Sequence, residues 1–133
     1  MGIAVDTFPA TDDPGYDLPP QRYVPCRLGA GPTVSTGPNT NPVVGHLLTD
    51  AARRLGLPWQ PDPSGKTAAN DARVIQVADS GVAAASVGVP QRNMHTQVEI
   101  VSLADVEAAV SLLVEFVAAV DEGTDFRPFH FQR

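Results

Sequence analysis

The amino-acid sequence predicts an α/β fold, a mixed sheet flanked by helices. Three observations carry that prediction. Apolar runs at Ile3–Phe8 and Val82–Val89 each stop at a proline and read as buried strands. Segments 42–55 and 103–120 repeat their apolar residues at the helical period. Strand and helix alternate along the chain, the pattern of helices packed on a sheet.

Composition agrees. The 133 residues suit one domain. With 43% hydrophobic and 18% charged residues, the chain can bury a core and is not a disordered tail. No apolar run reaches the ~18 residues of a membrane helix, and no signal-peptide pattern opens the sequence. A net charge of −6 disfavours binding to nucleic acid or an acidic membrane. Cys26 is the one cysteine, which excludes an internal disulfide framework and a Cys-rich zinc module. A cytoplasmic location is the expectation.

The elements follow in order. Ile3-Ala4-Val5-Asp6 reads as a buried strand ending at a carboxylate, with Pro9 beyond. From Pro9 to Pro42 the prolines are too dense for a helix or a central strand. Tyr23–Arg27 and Thr33–Ser35 are the candidate edge strands there, joined by the turn Leu28-Gly29-Ala30-Gly31-Pro32. A helix then starts at the cap Asn41 with Pro42 in its first position, and Gly56 ends it. Its apolar face is Val43, Val44, Leu47, Leu48, Ala51 and Leu55, with His46, Asp50, Arg53 and Arg54 opposite.

A loop from Trp59 to Ala69 leads to a short helix capped by Asn70 or Asp71 and closed by Gly81. Val82–Val89 fits a fully buried, parallel strand ended by Pro90. A polar loop from Gln91 to Gln97 and an extended stretch Val98–Val101 lead into the last helix. Ser102 and Asp105 resemble a capping box at its start. Leu103, Val106, Val110, Leu113, Val114, Val117 and Val120 form the stripe expected to face the core. Phe126, Phe129 and Phe131 suggest a tail that docks.

Several features suggest chemistry and resolve to plainer roles. Ser64-Gly65-Lys66-Thr67 ends like a phosphate loop, but Gln60 stands where the first glycine belongs, and Pro61 and Pro63 remove N–H donors. Cys26 has no nearby histidine and reads as a small apolar residue. His46 falls on a polar helix face, and His130 lies in the aromatic tail. Asp6 and His95 differ from these. Each follows an apolar strand, and the loops at strand C-terminal ends are where α/β sheets build their sites. A carboxylate and an imidazole are both ordinary ligands of zinc or cobalt. From spacing alone, a turn-capping role for Asp6 and a loop role for His95 stay open. Asp71 sits at a helix start, where a carboxylate suits the dipole.

Taken in order, a series of motifs resembles the C-terminal part of the tetrahedral or glutamyl (deblocking) aminopeptidases, a family often labelled cellulase or endoglucanase. The series is Ile3-Ala4-Val5-Asp6, Asp12-Asp13-Pro14-Gly15, Leu28-Gly29-Ala30-Gly31-Pro32, Asn70-Asp71-Ala72 and Gly81-Val82. It continues through Val89-Pro90, Arg92-Asn93-Met94-His95, Val98-Glu99 and Asp105-Val106-Glu107. It covers roughly residues 3–122. Two departures are Ala69-Asn70, where the family usually has glycine-threonine, and Gln97, where it often has proline.

The resemblance implies the C-terminal half of a zinc-peptidase-like domain with two divalent metals, zinc or cobalt, and peptide substrates. Matched residue by residue, Asp6 would bind one metal and His95 the other. Arg92 and Asp71 would form or support the substrate pocket. The family's remaining ligands and its general-base glutamate have no counterpart in this sequence. A catalytic zinc takes about three protein ligands plus water. The resemblance therefore implies a partial catalytic domain, 1–133, with weak or no metal binding and no catalytic residue of its own. A fragment, a subunit completed by another chain, a homo-oligomer, and a non-catalytic binding or assembly domain all remain open.

Overall fold

The computed structural model describes residues 1–14, 24–63, 65–66 and 69–128. Five strands form one mixed sheet: β1 (Gly2–Pro9), β2 (Thr33–Thr36), β3 (Gln60–Pro63), β4 (Ala84–Arg92) and β5 (Ile100–Val101). The order is β1-β4-β2-β3, with β5 also paired to β4. β1 runs parallel to β4, from Gly2 opposite Ala84 to Pro9 opposite Gln91. β2 is antiparallel to β4 and parallel to β3. The helices are α1 (Pro42–Leu55), α2 (Ala72–Ile75) and α3 (Leu103–Ala119). The predicted α/β class with a mixed sheet flanked by helices is the observed one.

Side chains alternate across each strand, and this alternation assigns the faces. Ile3, Val34, Ala85, Val87 and Val89 pack into one core with Val44 and Leu48 of α1 and Leu112 and Phe116 of α3. Each fully buried Val, Leu or Phe contributes about 1.5–3 kcal/mol. The other face carries α2, where Ile75 packs over Gly2 so closely that a Cβ there would lie 2.6 Å from it.

α1 forms as its sequence predicts. Asn41 Oδ1 accepts from the N–H groups of Val43 (3.0 Å) and Val44 (3.3 Å). Gly56 ends the helix in the left-handed conformation at φ 62°. Arg54 then ties α1 to α3, donating to Glu115 Oε1 at 2.7 Å. Phe126 packs against the core, and its carbonyl accepts from Asn41 Nδ2, so this part of the aromatic tail docks. Phe129, His130 and Phe131 lie outside the described residues, as does Tyr23.

Several expectations need correction. Residues 24–27 are not a strand. β3 crosses two prolines that had marked a loop. Gln60 N–H donates to Pro32 O on the β2 side, so Pro61 and Pro63 turn their missing donors outward on an edge strand. β4 runs through Pro90 to Arg92. Gln91 O accepts from Ala10 N–H on the β1 side, which turns the Pro90 nitrogen the other way. Away from β1, β2 is in register with Val87 and Gly88 and β5 with Gln91 and Arg92, so Pro90 falls between the two ladders.

The largest correction is the phase of α3. Its buried residues are Asp105, Ala108, Ala109, Leu112 and Phe116. Of the predicted core stripe, Leu103, Val110, Val114 and Val117 are exposed. Val106, Leu113 and Val120 are only half-buried. Ser102 makes no side-chain cap bond, and Asp105 points to another segment, so there is no capping box.

Candidate metal and peptide site

Asp6 lies inside β1 rather than at its end, because the strand continues to Pro9. It stands opposite Gly88 on the face away from α1 and α3. The sheet is close-packed there, and a Cβ on Gly88 would meet Thr33 Oγ1 at 2.5 Å and Phe8 Cβ at 2.8 Å. The Asp6 side chain is exposed, and its Oδ1 accepts the N–H of Thr7 at 2.8 Å. Even-numbered β1 residues bond to β4, as Gly2 N–H to Ala83 O shows, so the Thr7 N–H belongs to the outer edge. No described strand pairs with that edge, and Val5 is exposed beside it.

His95 lies in the loop between β4 and β5. It takes the left-handed conformation at φ 64°, as does Asn93 at φ 55°. Such values are uncommon for residues other than glycine. Glu99 supports the conformation, its Oε1 accepting the His95 N–H at 2.7 Å, and Thr96 closes the turn onto Asn93 O. The His95 side chain is exposed. Parallel pairing places Asp6 and His95 toward the C-terminal ends of two adjacent strands. A cavity of about 250 Å³ opens at those ends, lined by Pro9, Ala10, Gln91, Asn93, Met94 and Thr96. A wider groove of about 800 Å³ lies elsewhere, beside Asn41, Gly81 and Phe126, away from the predicted site residues.

Arg92 does not reach outward. Its Nε and Nη2 donate to the two carboxylate oxygens of Asp12 at 3.1 and 2.8 Å. Asp12 also accepts from Leu28 N–H at 3.3 Å. Arg92 therefore buttresses the loop wall. The Arg92 hydrogen bonds, reinforced by its charge, hold the Asp12 carboxyl below the usual range despite partial burial. A depressed carboxyl adds stability that is complete above its unfolded pKa, about 3.9, and is lost as pH falls through the folded value. Asp12→Asn should therefore flatten the acid limb. Between pH 6 and pH 3 the wild-type urea midpoint should fall more steeply than the variant's. Parallel curves would show that the pair does not couple to folding.

Asp71 is exposed at the start of α2 and makes no cap bond; the Asn70 side chain accepts the Ala72 N–H instead. No described hydrogen bond joins Asp6, His95 and Asp71, and the described residues hold no group of three or more metal-ligand side chains. Two ligand-type side chains do not fit a complete zinc site, which needs about three. Cys26 is buried, and burial, then the charges of Asp12 and Asp105, push its thiol up to about 12, which leaves it inert as a nucleophile. His46 is exposed on α1. Ser64 and Thr67 lie outside the described residues.

Sequence reasoning missed the supporting roles of three residues, Asp12, Glu99 and Asp105. All three stand within the motif series, and only their partners were hidden. Asp105 Oδ2 and Oδ1 accept the N–H groups of Gly29 (2.7 Å) and Gly31 (2.8 Å). Gln60 clamps the same turn, accepting from Arg27 N–H and donating to Arg27 O and Gly31 O.

Comparison with known proteins follows the same lines. The family model of the M42 glutamyl aminopeptidases matches residues 1–112. A lysyl aminopeptidase of Pyrococcus furiosus is 36% identical over 114 residues, which is 84% of this chain and 31% of that protein. An aminopeptidase from the archaeon Desulfurococcus kamchatkensis superposes with a TM-score of 0.71 at 35% identity, over 86% of this chain and 32% of that one. A TET aminopeptidase from a marine-sediment thaumarchaeote shares the fold, with a TM-score of 0.76 at 22% identity, over 90% of this chain and 33% of that one. The chain thus spans about a third of the relatives it matches. The chain belongs to the M42 glutamyl aminopeptidase family.

Proposed function

We propose that this chain forms part of the catalytic domain of an aminopeptidase that removes N-terminal residues from peptides. Asp6 and His95 would each hold one of two divalent metals, zinc or cobalt, which supply an activated water when bound. Arg92, locked to Asp12, would stiffen the wall beside His95, and Glu99 would fix the His95 backbone. Asp71 would support the peptide pocket. The observation that supports this reading is that Asp6 lies in the C-terminal half of β1 and His95 in the loop after the adjacent parallel strand β4, the side on which open α/β sheets form their sites. The outer edge of β1, which no described strand pairs, fits a site completed by a further polypeptide segment. The Pyrococcus horikoshii TET1 peptidase, with a TM-score of 0.63 at 21% identity, assembles into a tetrahedron or an octahedral shell, and we extend homo-oligomerisation to this chain.

The test has two arms. Titrating the chain alone with zinc or cobalt in a calorimeter should give weak binding, and aminoacyl p-nitroanilides should not turn over. A longer polypeptide that restores the rest of the family's domain should hydrolyse them, and Asp6→Ala or His95→Ala should then abolish turnover. Tight stoichiometric metal with turnover by this chain alone would overturn the claim that it is incomplete. Undiminished turnover in both variants of the longer form would overturn the ligand assignments. The incomplete ligand set favours a second reading, a non-catalytic binding or assembly domain, for which the longer form would be inactive.

A further inference from the structure

The cavity of about 250 Å³ beside His95 has two chemistries in its wall. Pro9, Ala10 and Met94 make one part apolar. Asp13 is the one charged side chain among its described lining residues. Arg92, the cation of the same strand end, gives its guanidinium to Asp12 and lines no part of the cavity. The cavity is therefore acidic. Gln91 adds an amide. That residue is 6% exposed, and no hydrogen bond joins its side-chain amide to the described residues, so its polar end opens onto the cavity. Buried polar side chains are nearly always paired, because leaving the bond unmade is costly. The Gln91 amide thus points to a polar group that arrives from outside.

We propose that this cavity receives the side chain of the peptide's N-terminal residue and selects a cationic one, with Asp13 and Gln91 as the specificity-determining residues. Charge complementarity decides the occupant. A lysyl or arginyl side chain would lay its methylene stem along Pro9, Ala10 and Met94. Its charged head would meet the Asp13 carboxylate and the Gln91 amide oxygen, a charge-assisted pair of acceptors. The position agrees, because Met94 and Thr96, which line the cavity, flank His95 in the chain. So does the volume, which lies below the roughly 300–1,000 Å³ of pockets for whole ligands and suits one long side chain. An apolar segment from the rest of the domain would bury the Asp13 charge there, which is costly without a cation to pair it. This inference rests on the aminopeptidase reading above and deepens it by naming the substrate class.

The test compares lysyl and leucyl p-nitroanilide as substrates of the longer polypeptide, with circular dichroism as the control for folding. The ratio of kcat/KM values should favour the lysyl substrate. Asp13→Asn should lower that ratio at least about tenfold, the scale of a lost charge-assisted hydrogen bond. Asp13→Lys should turn the preference toward glutamyl p-nitroanilide. Gln91→Leu, a second variant should the first fail to fold, should also move the ratio toward the leucyl substrate.

A second arm needs neither metal nor turnover. Lysinamide added to the 133-residue chain in the millimolar range should shift the amide NMR signals of Asn93, Met94 and Thr96 more than leucinamide does. Both compounds carry an α-ammonium, so the difference reads the side chain. A longer form that turns over without lysyl preference, or with a preference indifferent to Asp13→Asn and Gln91→Leu, would overturn this inference alone. Equal shifts with the two amides would overturn it as well. Lysinamide-selective shifts that Asp13→Asn removes, with no turnover by the longer form, would uphold the cavity and overturn the aminopeptidase reading.

Discussion

Asp105→Ala is expected to destabilise the chain by about 3–5 kcal/mol. The carboxylate is 1% exposed and accepts two backbone N–H groups across 74 and 76 residues of sequence. Hydrogen bonds to a charged group contribute about 1.5–3 kcal/mol each, and a buried donor left unpaired costs about 1–3 kcal/mol. Its place in the first turn of α3 adds about 0.3–1 kcal/mol through the helix dipole. Alanine removes all of this, freeing the Gly29–Gly31 turn from the helix. Asp105→Asn keeps one acceptor oxygen and should lose roughly half as much. Urea denaturation followed by circular dichroism reads both changes. Small domains have only about 5–15 kcal/mol to lose, so the alanine variant should be close to unfolding at 37 °C. A midpoint within error of the wild type would mean that the turn does not depend on Asp105.

The misplaced α3 stripe shows where periodicity stops being informative. A hydrophobic period fixes the phase of a helix only if one face is polar. In α3 only Asp105, Glu107 and Glu115 are charged, and Asp105 lies on the buried side. The core face is built from Ala108 and Ala109, which let α3 approach its neighbours, with Leu112 and Phe116 filling the remaining space. The richer series of Val and Leu looks outward. In α1 the periodicity placed Val44, Leu48 and Ala51 correctly, because His46, Asp50, Arg53 and Arg54 mark one side and Asn41 and Gly56 mark the ends, but Leu55 in the last turn is exposed. The strands at Pro61, Pro63 and Pro90 were hidden because a proline is tolerated wherever its nitrogen turns away from the ladder, and that depends on which side the neighbour lies.

The proposed site residues were named from the sequence; their contacts were not legible there. Asp6, Arg92, Asp71 and His95 came from motifs within short segments. What each does depends on partners far along the chain: Arg92 is held by Asp12, 80 residues away. The strand position of Asp6 required the β1–β4 register, since Pro9 had suggested an earlier end.

Gly31→Ala should be as damaging as Asp105→Ala, and for a linked reason. Gly31 sits at φ 89°, where a side chain is strained, and a Cβ there would lie 2.0 Å from Pro58 O and 2.5 Å from Pro58 C. Those are backbone atoms, which cannot swing aside as a long side chain can. The turn would have to move, and it could not do so while keeping the Asp105 and Gln60 bonds. Strained backbone costs about 1–3 kcal/mol and the lost hydrogen bonds add to it, so a loss of about 3–5 kcal/mol is expected. Because both substitutions break the same clamp, their effects should not add. In a double-mutant cycle the pair should cost less than the sum by at least about 1 kcal/mol. Gly29 is the control: it has φ 77°, but a Cβ there would meet nothing within 4 Å, so Gly29→Ala carries only the backbone strain, about 1–2 kcal/mol. If Gly31→Ala cost no more than Gly29→Ala, the close approach to Pro58 would be irrelevant. If the cycle were additive, Asp105 and Gly31 would act on separate parts of the fold.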